Sequence, residues 1–219
     1  MKEIDIESWS RATQYHNFIA YSDPTFSVGT QLDVTELLLF CKQNDQSFFS
    51  AFLYLIVRCM NEIENWRLRI VDNKVILFDK VHPSYVVLRA DDSIVTCMTE
   101  MVDDYERFYR QTREDIERAR HAKDAVFNTT QRPDCVYVSC LPWIRFTSLR
   151  NPYHLADRTQ TSIPRITWGR YAENNGRYEM AFDISAHHAL ADGIHVARLF
   201  DKANYALNHP KEFLGGSIK

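Results

Sequence analysis

The sequence predicts an α/β (α+β) fold, a two-layer sandwich in which helices cover one side of a mixed β-sheet. Segments of alternating apolar and polar residues follow one another through short turns, and helical patterns separate some of them. Only six glycines and seven prolines occur in 219 residues, which leaves little loop. Because single domains of about 200 residues are ordinary, we expect residues 1–219 to form one domain.

The first half of the chain is expected to begin with a short helix. Asp23-Pro24 ends that helix, because a residue before proline avoids the helical conformation. A helix capped by Ser47 is apolar nearly all round, which predicts burial on most of its faces. Asp72-Asn73 predicts a hairpin turn. The expected elements are a helix within 8–18, a strand over 26–34, helices over 35–41 and 47–63, and strands over 68–70, 74–78, 85–88 and 94–98.

The second half begins with a predicted helix over 103–125, whose charged residues form a solvated face. Three strands are expected over 134–141, 166–172 and 178–187, and the last two are joined by a turn that ends at Gly176. A final helix is predicted over 193–208. The mixed sheet is predicted because some strands are linked by hairpins and others are separated by helices.

Composition excludes several classes of function. The net charge of −3 and the pI near 6.2 leave no basic excess to hold nucleic acid. No apolar run approaches the roughly 18 residues of a membrane span, and the acidic start of the chain lacks the apolar core of a signal peptide. We therefore expect a cytoplasmic protein without a membrane partner. The five cysteines show no Cys-x-x-Cys pair, so we predict buried thiols and no metal site.

The stretch from Ser185 to Gly193 carries the strongest sign of chemistry, because it holds His187 and His188 at a strand-to-helix junction. Histidine titrates near neutrality and is the commonest general base. Consecutive strand residues point to opposite faces. We favour His188 as the base, since its neighbour is in phase with polar residues of the strand. Asp192 either caps the last helix or pairs with an arginine.

The other histidines have no companion motif. His195 lies nearly two helical turns after the predicted base, and we expect it to be structural. The remaining five are expected at the surface: His16, His82, His121, His154 and His209.

Four motifs, in order and over nearly the whole chain, make the sequence resemble the chloramphenicol acetyltransferases. They are Trp9-Ser10-Arg11, Ser139-Cys140-Leu141-Pro142-Trp143, Pro164-Arg165-Ile166-Thr167, and Ser185–Leu199 with its His-His-x-x-x-Asp-Gly core. The histidine motif alone also occurs in dihydrolipoyl acyltransferase cores and peptide-synthetase condensation domains. Those proteins usually carry lipoyl modules or are about twice as long as this chain, whereas this sequence has neither feature.

The resemblance implies the fold of the CoA-dependent acyltransferases, with acetyl-CoA as co-substrate and no metal. It implies that His188 is the general base, that Ser139 donates to the oxyanion, and that Thr167 positions the intermediate through a water. Arg11 and Asp192 match the ion pair that holds the active-site backbone in this family. The family also implies a homotrimer with active sites at subunit interfaces.

The same resemblance places Trp143 and Tyr171 along the coenzyme channel, although aromatic residues near strands are as often core. It assigns the acceptor pocket to Asn17, Phe18, Phe26, Ile94 and Tyr137.

The acceptor pocket departs from the family pattern, which puts the identity of the acceptor in doubt. Asn17-Phe18 stands where drug-modifying members have an aromatic pair ending in tyrosine. Ile94 replaces a frequent phenylalanine, and Tyr137 replaces a smaller polar residue, whereas Phe26 keeps the family's aromatic.

Three functions follow from the sequence. The first is acetyl transfer from acetyl-CoA to a hydroxyl of chloramphenicol, which inactivates the antibiotic. The second is the same chemistry on a different hydroxylated small molecule. The third, from another class, is a non-catalytic trimeric binding protein that has kept the fold and the motif.

Overall fold

A computed structural model describes residues 1–122 and 132–215. Its elements, in chain order, are β1 (Lys2–Glu3), α1 (Ala12–Ile19), β2 (Thr25–Asp33), α2 (Thr35–Gln43), α3 (Phe48–Asn61), a 3₁₀ turn (Glu64–Arg67), β3 (Leu68–Val71), β4 (Lys74–Leu77), β5 (His82–Leu88), β6 (Ile94–Met98), α4 (Tyr105–His121), β7 (Cys135–Leu141), α5 (Arg158–Ser162), β8 (Arg165–Asn174), β9 (Arg177–His187), α6 (Gly193–Asn208) and α7 (Pro210–Leu214).

The main sheet has six strands in the order β2-β9-β8-β7-β5-β6. Its two central pairings, β5 with β7 and β7 with β8, are parallel, and the other three are antiparallel. A second sheet of three strands has the order β1-β4-β3. The prediction of a mixed sheet packed by helices is confirmed.

The central helix α3 fills the main core. Ser47 caps it by accepting a hydrogen bond from Ser50 N at 3.4 Å, and ten of its side chains are buried, as its uniformly apolar sequence predicts. Strand residues such as Ile166, Trp168 and Phe182 pack in the same core. Because neighbouring positions along a strand alternate between faces, the intervening polar residues share the opposite face of the sheet.

A second, smaller core lies beneath the end of β9. It joins α1 and the small sheet to the turn after β9, and Phe18 packs against it. Its buried members are Tyr15, Leu68, Ile70, Val75, Ala189 and Leu190. This core therefore fixes the backbone that directly follows His188.

Several boundaries differ from the sequence predictions. Helix α1 begins at Ala12 rather than near residue 8, and β5 begins at His82 rather than at Tyr85. The extension of β5 follows from parallel pairing, since His82 N donates to Asp134 O at 3.0 Å. Helix α4 ends at His121; its predicted end at residue 125 lies outside the described residues. Strand β1 and helices α5 and α7 were not predicted.

The expectation of five buried thiols is wrong for two of them. All five cysteines are free, but Cys97 and Cys140 are only partly buried. Within 1–122 and 132–215, no helix is long and apolar enough to cross a membrane, and no cluster of side chains suits a metal ion.

Candidate active site

The two histidines at the end of β9 have different surroundings. His187 is 2% exposed, and its Nδ1 accepts a hydrogen bond from Ala189 N at 3.2 Å. Burial lowers the pKa of His187 to about 4, so this ring is neutral at pH 7. His188 follows the last strand residue, and a third of its side chain is exposed. Of the two rings, that of His188 is the one available to a ligand.

Two aromatic rings hold the His188 imidazole. Phe18 stacks on it at 3.8 Å between ring centroids with an 8° interplanar angle, and Phe26 lies at 4.6 Å with a 39° tilt. His188 N donates to Pro24 O at 2.8 Å, which ties the turn to the start of β2. The structure thus brings together three of the predicted site residues, from α1, β2 and the turn after β9.

Arg11 joins this turn to the start of α1. Its guanidinium donates to both carboxylate oxygens of Asp192, and to His188 O at 3.1 Å. The pair is partly shielded, with 11% of the Arg11 side chain and 30% of the Asp192 side chain exposed. The hydrogen bonds from Arg11 hold the pKa of the Asp192 carboxyl below its usual range.

Asp192 has three structural contacts. It is the N-cap residue of α6, and its own N–H donates to His195 Nδ1 at 2.8 Å, which gives that histidine a structural place. Its Oδ1 also lies 3.1 Å from His188 Nδ1, but the ring N–H is not aligned with it for a hydrogen bond. The carboxylate therefore lies beside the His188 ring, in addition to its bonds to Arg11.

Ser139 and Thr167 lie side by side on the polar face of the sheet, because β7 and β8 pair in that register. Thr167 is 1% exposed, and its Oγ1 has no hydrogen-bond partner in the described structure. Ser139 is partly exposed and lines a cavity of about 330 Å³ together with Tyr137. Tyr137 OH donates to Gln160 Oε1 at 2.8 Å.

The described chain does not place the histidine beside the serine. His188 is not among the residues that line the Ser139 cavity. A second cavity, of about 480 Å³, is lined by Phe26, and the wall between the two contains Asn151 and Pro152. One chain therefore carries His188 and Ser139, the predicted base and the predicted oxyanion donor, at separate places.

Two residues predicted for the acceptor pocket lie apart from both the His188 ring and the Ser139 cavity. Asn17 is exposed on α1, and Ile94 is 44% exposed at the start of the edge strand β6. Ile94 is not among the residues that line the Ser139 cavity, where Thr96 of the same strand is found instead. Side chains two residues apart share a strand face, so Ile94 lies on the same face of β6 as Thr96, and its place in the acceptor pocket stays a prediction.

Trp143 and Tyr171 are 60% and 41% exposed, which excludes the core alternative. Trp143 lines a cavity of about 270 Å³ and Tyr171 one of about 510 Å³. Both cavities also include Cys140 and Pro142, so they adjoin on either side of the segment that follows Ser139.

Sequence analysis missed several polar residues around Ser139. For the three that lie on strands, Ser84, Thr96 and Arg165, the signal was strand phase, because they stand two positions from predicted site residues or opposite them across the sheet. The other two lie outside the strands, and no local pattern indicated them. The additional lining residues are Ser84, Thr96, Asn151, Gln160 and Arg165.

His82 was wrongly expected at the surface. Only 12% of its side chain is exposed, and its Nδ1 accepts from Met101 N at 2.9 Å beside Glu100 and Asp134. These partners are distant in sequence, so spacing gave no sign of them. Four other histidines are exposed as expected: His16, His121, His154 and His209.

Known proteins of one family resemble this chain in sequence. A family model described as chloramphenicol acetyltransferase matches residues 1–204. A chloramphenicol acetyltransferase from Proteus mirabilis is 30% identical over 201 residues, 91% of each chain. One from Clostridium perfringens is 28% identical over 216 residues, 97% of each chain.

Solved structures share the fold. A chloramphenicol acetyltransferase superposes with a TM-score of 0.87 at 24% identity, covering 94% of this chain and 100% of that one. The cubic core of the pyruvate dehydrogenase multienzyme complex superposes with a TM-score of 0.70 at 18% identity, covering 93% and 88%.

Proposed function

Since the chain belongs to the chloramphenicol acetyltransferase family and is therefore an acyltransferase, we propose that it moves the acetyl group of acetyl-CoA directly to a hydroxyl of chloramphenicol. The observation that carries this proposal is the His188 ring, which is clamped by Phe18 and Phe26 yet partly open to solvent. A base needs to be both accessible and fixed in orientation.

In the proposed reaction His188 takes the proton of the acceptor hydroxyl while that oxygen attacks the acetyl carbon. The new C–O bond forms, the C–S bond breaks, and the imidazolium returns the proton to the leaving thiolate. Ser139 donates a hydrogen bond to the oxyanion of the tetrahedral intermediate. Thr167, whose Oγ1 is unpaired, is proposed to hold that intermediate through a water.

We propose that the site is completed between subunits of a homotrimer. Two observations support this: one chain keeps His188 out of the Ser139 cavity, and the sheet face that carries Ser139 exposes apolar side chains. Val86, Leu88 and Ile94 on that face are 37%, 39% and 44% exposed. Exposed apolar patches mark association surfaces, and a partner on this face would bring its own histidine toward Ser139.

Acetyl-CoA is proposed to lie along Trp143 and Tyr171. Both rings are exposed and line adjoining cavities just beyond Ser139. Aromatic faces of this kind suit the flat adenine ring and the apolar parts of the coenzyme.

A second candidate function is the same transfer to another hydroxylated small molecule. The acceptor region favours it, because Phe18 offers no hydroxyl and the hydroxyl of Tyr137 is already bonded to Gln160. The catalytic groups are the same in both candidates.

Thiol release from acetyl-CoA, measured with and without chloramphenicol, tests the proposal. We expect drug-dependent release that His188→Ala lowers by at least about 10³-fold, with unchanged circular dichroism. His121→Ala, an exposed histidine on α4, is the matched control. Coenzyme binding without drug-dependent release would favour the second candidate. A His188→Ala variant that keeps full ligand affinity, with no acceptor ever releasing thiol, would instead indicate the non-catalytic binding protein.

A further inference from the structure

The Ser139 cavity contains a guanidinium that has aromatic neighbours but no hydrogen bond or ion pair within the described residues. Arg165 is half-buried at the start of β8, directly opposite Tyr137 of β7. Its guanidinium lies 3.7 Å from the centroid of the Tyr153 ring and 5.6 Å from that of Tyr137. Its Nε is buried and has no hydrogen-bond partner, and within the described part of the chain no carboxylate pairs with it.

Other shielded guanidiniums of the described residues donate hydrogen bonds. Arg69 is fully buried and donates to four backbone carbonyls, and Arg11 donates to Asp192 and to backbone. Burying a charged group without hydrogen bonds is unfavourable. Arg58 and Arg67 also have a buried Nε without a partner, but Arg58 donates to Tyr54 OH and Arg67 to Phe78 O through their other nitrogens. Among these shielded arginines of the described residues, Arg165 is the one without a hydrogen bond or an ion pair, and it lines a cavity.

The rest of the cavity is suited to an anion. Among the described residues that line it, Arg165 is the only charged one, and the other polar ones carry hydroxyls and amides. Ser84, opposite Tyr137 on β5, is 2% exposed, and its Oγ also lacks a partner. Asp183, an acid on the same face, accepts a hydrogen bond from Ser185 Oγ at 3.3 Å and forms no ion pair with any residue that the structure describes. A guanidinium and a hydroxyl without partners are the donors that bind a carboxylate.

We propose that the acceptor of this enzyme carries a carboxylate, or an oxyanion of similar shape, which Arg165 and Ser84 bind while its hydroxyl lies at Ser139. The inference rests on the proposed function and sharpens its second candidate. Arg165 stands two residues before Thr167, the register partner of Ser139. Two residues of strand span about 6.6 Å, so the anionic group lies on the order of 7 Å from the reacting hydroxyl. The cavity volume of about 330 Å³ suits a small ligand.

A matched pair of acceptors tests the charge. 4-(Hydroxymethyl)benzoate has about this separation, and 4-(hydroxymethyl)benzamide has the same shape without the charge. We expect thiol release from acetyl-CoA with a kcat/KM at least about 10-fold higher for the carboxylate, the size of a charge-assisted hydrogen bond. Calorimetric binding of the two compounds should show the same preference without turnover.

Variants test whether Arg165 causes the preference for the carboxylate. Arg165→Gln should remove the preference by lowering kcat/KM for the carboxylate about 10- to 100-fold, with the benzamide changed by less than about 3-fold. Arg165→Lys keeps the charge but loses the planar fork of the guanidinium, so its kcat/KM for the carboxylate should lie between those of the wild type and Arg165→Gln. Arg110→Gln, an exposed arginine on α4 far from the cavity residues, is the charge-matched control.

The outcomes separate the two proposals. If no acceptor, chloramphenicol included, releases thiol, the proposed function fails. If acceptors react but charge gives no preference, or if Arg165→Gln lowers both acceptors equally, the anionic acceptor is excluded. If Arg165→Gln shifts the sedimentation coefficient and leaves the preference intact, the guanidinium pairs with a neighbouring subunit and the inference is overturned.

Discussion

The ion pair between Arg11 and Asp192 allows a quantitative test of what holds the His188 turn. The two side chains are 11% and 30% exposed, which lies between a surface pair and a buried one. Surface pairs contribute about 0–1 kcal/mol, whereas breaking a buried pair costs about 3–5 kcal/mol. We therefore expect Arg11→Met to lower the free energy of unfolding by about 2–3 kcal/mol, since it also frees the carbonyl of His188.

Asp192→Asn should cost about 2 kcal/mol, because the amide still accepts one hydrogen bond from Arg11 and still caps α6. The double variant should be less destabilised than the sum of the two, with a coupling of about 1–2 kcal/mol. For a chain of this length, 1 kcal/mol corresponds to a Tm shift of about 2–4 °C.

Urea titration at one fixed protein concentration measures these differences, because oligomerisation makes stability concentration-dependent. Activity should also fall about 10- to 100-fold in Arg11→Met, since the turn that carries His188 loses its tie to α1. Strictly additive variants, or losses below about 0.5 kcal/mol each, would refute the structural role of the pair.

The contribution of the Arg11–Asp192 pair to the free energy of unfolding also depends on pH. The pKa of Asp192 is lowered in the folded state, so its contribution is complete above the unfolded value of about 3.9. It is lost as the pH falls below that value toward the lowered folded pKa. The stability difference between wild type and Asp192→Asn should therefore shrink below about pH 4.

Three further predictions concern the surrounding residues. Because the pKa of His187 is lowered to about 4, the unfolded chain binds more protons than the folded one below about pH 6.5. Urea titrations should therefore show that about 3 kcal/mol of the free energy of unfolding is lost by pH 4. The loss should be smaller in His187→Asn, which keeps an acceptor for Ala189 N. Ser139→Ala should lower kcat about 10²- to 10³-fold in the thiol-release assay without changing acetyl-CoA affinity. A Cβ on Gly169 would lie 2.9 Å from Ile144 O, so Gly169→Ala should displace the segment beside Trp143 and raise the KM for acetyl-CoA while stability changes little.

Local signals in the sequence predicted the parts of the fold that depend on local chemistry. The hairpin turn at Asp72-Asn73 has φ values of 50° and 62°, which these residue types tolerate. The helix after Ser47 is apolar because it is covered on nearly all sides. The pairing of β2 with β9 and the parallel pairing of β5 with β7 depend on contacts between distant segments, and no local pattern encodes them.

The residues of the candidate site likewise divide into those that sequence patterns predicted and those that depend on contacts between distant segments. His188 follows from phase at a strand end, and Arg11 and Asp192 were matched as motif residues before the structure showed them in contact. The buried position of His82 depends on Glu100 and Asp134, which only the folded sheet brings near. Spacing along the chain carries no information about such partners.

The polar face of the sheet connects the stability of the subunit with its chemistry. Thr167 Oγ1, Ser84 Oγ and Arg165 Nε are all buried there without partners, whereas the opposite face packs a continuous apolar core. Unsatisfied polar groups destabilise a chain by about 1–3 kcal/mol each, so a set on one face favours an arrangement that supplies their partners. A ligand bound at this face would supply partners for these polar groups, and a second subunit would cover the apolar side chains around them. Acceptor binding should therefore raise the Tm of the wild-type protein more than that of Arg165→Gln.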